Sequence, residues 1–409
     1  MMEARVRLLP PIGRIGGSLT PPGDKSISHR SLLFAAIAEG RSRIEGLAPG
    51  GDARSTRRVL ESLGVEIHEE GGGLVVVGRG WAALDRTEDR PPGELSLDCG
   101  NSGTTARLLC GLLAGRRGRF RIAGDPSLSR RPMGRVRAPL EELGACFEGG
   151  DSLPLTVVGS PLSGGPVAAP VPSAQVKSAL ILAALQADGE SLIREPRPTR
   201  DHTERLLRAM GAPLAPDGES GCAWRVGGGA EPLRPLGIRV AGDPSSAAYA
   251  VALAALLEGS DVRVLGVCVN PRRLGFYRLL RRLGGDVRWH GGGPEDAGGE
   301  IRARARPLQG IDVGPEEVVD SIDEIPLLAV VAAAAEGETT IRGAEELRHK
   351  ESDRISSTVA LLEAFGADVQ ERPDGLRVRG GRRWPGGAQI DSRGDHRIAM
   401  CAAVAAALG

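Results

Sequence analysis

The sequence predicts an α/β protein of two domains, assembled from six copies of one β-α-β-α-β-β unit with three copies in each domain. Three observations predict it. An Ala/Leu-rich helical run that stops at a glycine recurs over 31–40, 105–115, 178–189, 246–259, 325–337 and 398–409. A charged amphipathic run closes on an L-x-x-L-G signature at 60–64, 140–144, 207–211, 280–284 and 362–366, with Met210 and Phe365 in place of the second leucine. Finally, 409 residues exceed what one core usually holds and suit two domains of ~200 residues each.

Each element follows from its pattern. The glycine-closed runs carry no polar stripe and read as buried helices, whereas the L-x-x-L-G runs keep a polar face and read as half-exposed ones. Short β-like runs at 42–44, 119–122, 191–193, 262–264 and 339–341 follow the buried helices. Alternating stretches such as 65–67 and 74–77 follow the amphipathic ones, so a unit takes roughly 70 to 80 residues. Gly and Pro punctuate the whole chain, and no linker composition marks the domain boundary. The fourth unit opens with V-A-G-D-P-S-S at 240–246, and the chain is expected to cross there, making 1–20 plus 241–409 one domain and 21–240 the other. The sixth copy stops at Gly409 without its strand, which is expected to cost its domain part of its closure.

Composition excludes several classes. Basic and acidic residues balance at 52 each and aromatics make up 3%, so neither nucleic acid nor an anionic membrane is indicated as a partner. No stretch reaches the ~18 uninterrupted apolar residues of a membrane span, and Glu3, Arg5 and Arg7 interrupt any apolar signal core, which predicts a cytoplasmic protein. Six cysteines (99, 110, 146, 222, 268 and 401) form no C-x-x-C pair and read as small buried apolar residues. Only three lysines, Lys25, Lys177 and Lys350, remain among the 52 basic residues, and only two asparagines, Asn101 and Asn270. A compact ammonium does what a guanidinium fork cannot, so the survivors are candidates for function.

All three lysines and Asn101 fall in motifs at helix starts. P-P-G-D-K-S-I-S-H-R at 21–30 puts Lys25, Ser26 and Arg30 on the first turns of a helix, where free N–H groups and the dipole favour phosphate. D-C-G-N-S-G-T-T at 98–105 is a glycine-spaced turn entering the next buried helix, a shape that either cradles an anion or simply caps. G-D-P-S-L-S-R-R-P-M at 124–133 holds an arginine pair suited to carboxylate or phosphate. P-S-A-Q-V-K-S at 172–178 and T-R-D-H-T-E at 199–204 open further helices with more polar groups than one cap needs. D-S-I-D-E-I-P at 320–326 sets three carboxylates before the fifth buried helix, R-H-K-E-S-D-R at 348–354 spaces Lys350 and Arg354 one helical turn apart, and G-D-H-R opens at 394. Helix N-termini of both domains are thus expected to aim Lys25, Arg30, Arg131, Arg200, Lys350, Arg354 and Arg397 at one cleft for small, multiply anionic ligands. Neither G-x-x-x-x-G-K-[ST] nor G-x-G-x-x-G is present, and no His/Cys/carboxylate cluster has metal-ligand spacing.

In order from about residue 10 to residue 405, these motifs resemble the signatures of the 5-enolpyruvylshikimate-3-phosphate synthases, a family of enolpyruvyl transferases. The resemblance implies a two-domain inside-out α/β barrel that needs no cofactor or metal, is monomeric, and transfers the enolpyruvyl group of phosphoenolpyruvate to the 5-hydroxyl of shikimate 3-phosphate in the shikimate pathway. Carried over by position, Lys25, Ser26, Arg30, Ser173, Ala174, Gln175, Arg200, Asp323 and Lys350 resemble contacts to shikimate 3-phosphate. Lys25, Asn101, Gly103, Thr104, Arg131, Gln175, Arg354 and Arg397 resemble contacts to phosphoenolpyruvate. Asp323 takes the role of base, with Glu351 and Lys25 as the acids to choose between. Ala174 offers only backbone where some members have Ser, and Glu346 stands where some place Asn. The segment that follows GDHRIAM in the family is absent, which is expected to bear on folding or activity. Gly103 is the small residue against which phosphoenolpyruvate-mimicking inhibitors pack in sensitive members, so sensitivity to glyphosate is expected. A sister transferase acting on UDP-N-acetylglucosamine pairs its early Lys with Asn and carries a reactive Cys in the loop matching 125–132; this chain has Ser26 and no Cys there. A catalytically dead binding protein on the same fold is the other reading, opposed by the intact set Asp323, Glu351 and Lys25.

Overall fold

The computed structural model describes residues 7–85, 93–292, 298–381, 384–385 and 387–409. The first repeat runs α1 (Lys25–Ile37), β2 (Glu39–Glu45), α2 (Gly51–Ser62), β3 (Glu66–Glu70) and β4 (Gly73–Arg79), preceded by β1 (Gly16–Leu19). The second holds β5 (Glu94–Asp98), α3 (Gly103–Ala114), β6 (Arg119–Ala123), the single turn α4 (Pro126–Ser129), α5 (Gly134–Glu142), β7 (Cys146–Glu148) and β8 (Leu155–Val158). The third holds β9 (Pro166–Ala168), α6 (Ala174–Ala184), β10 (Ser191–Arg194), α7 (His202–Ala209), β11 (Leu214–Pro216) and β12 (Ala223–Val226). The fourth holds β13 (Gly237–Arg239), α8 (Pro244–Leu256), β14 (Asp261–Cys268), α9 (Gly275–Arg282), β15 (Asp286–Gly291) and β16 (Gly298–Arg304). The fifth holds β17 (Asp312–Val313), α10 (Pro315–Ser321), α11 (Ile325–Ala334), β18 (Glu338–Ile341), α12 (Arg354–Ala364), β19 (Asp368–Arg372) and β20 (Gly375–Arg379), and α13 (His396–Ala406) stands for the sixth.

Among the described residues the strands form five four-stranded sheets, and each has a parallel edge pair followed by two antiparallel pairs. A parallel pair needs a crossover, which the buried helix supplies, while the closing strands need only a hairpin. Two strands are exchanged. β1, which leads into α1, pairs with β14 rather than β2, and β13, which leads into α8, pairs with β2 rather than β14. The described residues 388–391, ahead of α13, form no strand.

Two compact units result, Met1–Pro21 with Asp243–Gly292 and Gly298–Gly409, and Pro22–Gly242. In the latter, α1, α3 and α6 are buried along nearly their whole lengths, and α3 packs on α6 so closely that a Cβ on Gly111 would stand 2.0 Å from the Ala179 carbonyl. In the other, α8, α11 and α13 pack on one another inside a core of Ala, Val and Leu. Sheets cover both cores with one face outward, as the alternating burial of β6 and β14 shows. Arginines on the outward faces pair with carboxylates, as Arg302 and Arg304 do with Asp261 and Arg119 does with Glu148.

The cysteines depart from expectation. Cys99, Cys110, Cys268 and Cys401 are buried, but Cys146 is exposed on the outward side of β7 and Cys222 is half-buried in the turn before β12. Strand alternation at an edge, rather than residue type, decides the exposure of Cys146.

Candidate active site

In the Pro22–Gly242 unit, side chains from the first two turns of the buried helices link α1 to α6 and α6 to α3. Asp24 caps α1 by accepting from the Ile27 N–H at 2.8 Å, Ser102 caps α3 and Ser173 caps α6. Lys25, the first residue of α1, donates to Asp52 Oδ2 at 3.0 Å and stays a third exposed, with a side-chain exposure of 33%. Arg30, one turn further, is buried and bridges to α6 and α7, donating to Ser178 Oγ at 2.8 Å and Thr203 Oγ1 at 2.6 Å, and back to the Ser26 carbonyl at 3.1 Å. Gln175 on α6 joins α3, donating to Thr104 Oγ1 at 2.9 Å and accepting from Arg107 at 2.6 Å. Arg131 donates to Asn101 Oδ1 at 2.6 Å, and the Asn101 amide donates to Asp125 at 2.7 Å. Gly103 lies in this cradle: a Cβ there would stand 3.0 Å from Arg107 Nη1 and 3.3 Å from Arg131 Nη1. Ala174 is the first residue of α6, and Arg200 sits half-buried in the loop ahead of α7.

The other unit gathers its charges round Asp323, in the single 3₁₀ turn before α11. Asp323 Oδ1 is 3.8 Å from Lys350 Nζ and 3.5 Å from Arg354 Nη1, and Oδ2 is 4.0 Å from Arg397 Nη2. Asp395 caps α13, accepting from the Arg397 N–H at 2.9 Å, and also accepts from Arg354 Nε at 2.8 Å. Glu351 Oε2 accepts from Arg354 Nη2 at 2.5 Å. Burial holds Lys350 below the ordinary lysine range despite Asp323 and Glu346, because the charged form loses solvation. Burial also opposes charge on Arg354 and Arg397, but the carboxylates outweigh it and hold both above the ordinary arginine value. For Asp395 burial is outweighed by the Arg354 charge and hydrogen bond, so its pKa falls.

Residues 9–409 fit one family model, EPSP synthase (3-phosphoshikimate 1-carboxyvinyltransferase). The chain belongs to the EPSP synthase family. It is similar to the 3-phosphoshikimate 1-carboxyvinyltransferase of Thermus thermophilus, 47% identical over 97% of this chain and 91% of the relative. That of Limosilactobacillus fermentum is 46% identical over 96% and 90%. The solved EPSP synthase of Acinetobacter baumannii superposes with a TM-score of 0.83 at 38% identity, covering 98% of this chain and 91% of that one. The enolpyruvyl transferase NikO from Streptomyces tendae, at 21% identity and TM-score 0.76, shares the fold. The activity is therefore enolpyruvyl transfer from phosphoenolpyruvate to shikimate 3-phosphate in the shikimate pathway.

Some EPSP synthase motif residues stand apart from their sequence-based reading. Lys177 is buried in α6 between Glu195 and Glu204, 2.7 Å from an oxygen of each. The arginine pair splits, Arg130 exposed and Arg131 buried, because the turn after α4 points consecutive side chains opposite ways. Lys350 lies outside α12, so helical spacing does not align it with Arg354; the Asp353 cap starts the helix only at Arg354 and the preceding turn delivers Lys350 to Asp323. Of the three carboxylates at 320–324, Asp320 pairs with Arg278 at 2.6 Å, Glu324 accepts from Ser245 and reaches Arg397 at 3.9 Å, and Asp323 lies within 4.0 Å of Lys350, Arg354 and Arg397 together. Sequence reading missed Arg107 and Asp395. Arg107 is a charge inside an otherwise apolar helix, and Asp395 a cap in a quoted motif; both signals were present and neither named a partner.

Proposed function

We propose that the two compact units are the globular domains of a monomeric enzyme and that each supplies part of the contacts to both substrates. Shikimate 3-phosphate is held by Lys25, Ser26, Arg30, Ser173, Ala174, Gln175 and Arg200 of one unit and by Asp323 and Lys350 of the other. Phosphoenolpyruvate is held by Lys25, Asn101, Gly103, Thr104, Arg131 and Gln175, and by Arg354 and Arg397. The observation that carries the reading is the carboxylate of Asp323 with Lys350, Arg354 and Arg397 all within 4.0 Å, a base set among the cations that two anionic substrates require.

The reaction then runs as addition and elimination. Asp323 accepts the proton of the 5-hydroxyl as its oxygen bonds to C2 of phosphoenolpyruvate, and Glu351 or Lys25 delivers a proton to C3. In the second half C3 loses a proton, the C2–O bond to phosphate breaks and inorganic phosphate leaves. Arg131, fixed by Asn101, and Arg354, fixed by Asp395, meet the phosphate charge without reorganising. Phosphate release from the two substrates measures the activity. Asp323→Ala is expected to lower kcat by ~10²- to 10⁴-fold, the range typical of a lost acid–base group; kcat within a few-fold of wild type would remove the assignment. Glu351→Gln and Lys25→Met separate the two acids, since the acid that serves C3 loses kcat while the other mainly raises KM. Light scattering on the purified chain tests the monomer, and a mass of two chains rejects it.

A further inference from the structure

Lys177 serves neither substrate in this reading, yet it is one of three lysines in a chain that carries arginine almost everywhere else. Its Nζ donates to Glu195 Oε1 at 2.7 Å and to the Thr199 carbonyl at 3.5 Å, and forms an ion pair with Glu204 Oε1 at 2.7 Å. A guanidinium would bring five donors to these three oxygens, so the compact ammonium of a lysine suits the site better.

Glu195 and Thr199 belong to the loop between β10 and α7. That loop contains Pro196 and Pro198, which cannot donate backbone hydrogen bonds, so its conformation depends on other anchors. Glu195 supplies them: Oε1 accepts from the Thr199 N–H at 3.1 Å, Oε2 accepts from the Thr199 hydroxyl at 2.6 Å, and Lys177 ties the same carboxylate to Glu204 on α7. Arg200 is the next residue. The neighbours of Lys177 and Glu204, Ser178 and Thr203, hold Arg30 from the opposite side of the same α6–α7 junction. Burial pushes Glu204 above the ordinary carboxylate range in spite of Lys177.

We propose that Lys177, Glu195 and Glu204 form a buried clamp that positions Arg200 for the phosphate of shikimate 3-phosphate, Lys177 being a positioning residue rather than a catalytic one. The proposal rests on the assignment of Arg200 made above. The test is a steady-state cycle on the full chain with Thr199→Val, the pair Lys177→Met with Glu204→Gln, Arg200→Gln and their combinations, each checked for its thermal transition. Thr199→Val keeps every charge and the side-chain shape, so it reads the clamp even if the charge variants fold poorly. Thr199→Val and the charge pair are expected to raise KM for shikimate 3-phosphate about tenfold, with kcat and KM for phosphoenolpyruvate within about twofold. In the Arg200→Gln background they are expected to add no more than about twofold, as for residues acting through one another. Additive effects, or equal losses for both substrates, would overturn the clamp while leaving Arg200 in place. An unchanged KM for shikimate 3-phosphate in Arg200→Gln alone would overturn the Arg200 assignment, and the clamp with it.

Discussion

Around Asp323 the identities of single atoms matter, and Lys350 is the sensitive partner. Its pKa is lowered by burial, so it sheds its proton at a lower pH than a solvated lysine, and under the proposed assignment shikimate 3-phosphate loses that cation as pH rises through the folded value. KM for shikimate 3-phosphate should therefore begin to climb at a lower pH than the ~10.4 of free lysine would set, and Lys350→Arg should flatten the climb. Initial-rate profiles of the two proteins check it. His29, on the buried side of α1, works in the other direction. Its ring bonds Thr56 Oγ1 at 2.6 Å, and burial lowers its pKa to about 3. Above about pH 6.5 it is neutral both folded and unfolded. As pH falls toward about 3 the unfolded chain takes up a proton the folded chain refuses, so stability drops. His29→Asn should make the fall of Tm between about pH 7 and pH 4 shallower, read by calorimetry. At this scale the polar clusters at the helix starts were legible because capping and charge pairing there use few side-chain types. Lys177 was not, because Glu195 and Glu204 lie 18 and 27 residues away and only folding brings them to its ammonium.

The elements repeat the same logic at larger size. The N-terminal turn of α3 must present its backbone between Arg107 and Arg131, and only a residue without Cβ leaves both guanidinium groups where they are. Gly103→Ala should raise KM for phosphoenolpyruvate and raise the inhibition constant of glyphosate by more, with kcat little changed; competition assays measure both. Equal effects on the two ligands would show that the methyl group moves Arg131 rather than narrowing the space for an inhibitor. Buried and half-exposed helices were legible from their apolar pattern, since period 3.6 and a closing glycine are local properties. The exchange of β1 and β13 was not, because strand pairing is a long-range choice that periodicity does not encode.

For the whole molecule, continuity of the chain matters. All three sheets of the Pro22–Gly242 unit are built from its own strands, β13 included, whereas the other unit's first sheet takes its edge strand from the N-terminal segment. A fragment spanning 22–242 should therefore unfold cooperatively and bind shikimate 3-phosphate weakly, lacking Asp323 and Lys350. The fragment 243–409 should lose protection in β14 unless 1–21 is supplied. Circular dichroism, titration calorimetry and hydrogen exchange test the pair, and a molten 22–242 fragment would contradict the first expectation. The repeat and the caps at the helix starts can be read from the chain alone, since each depends on neighbours a few residues apart. Folding settles which lysine is enclosed, which cations each carboxylate of 320–324 meets and which strand closes which sheet. Those outcomes depend on burial and on partners far along the chain, where local pattern carries no information.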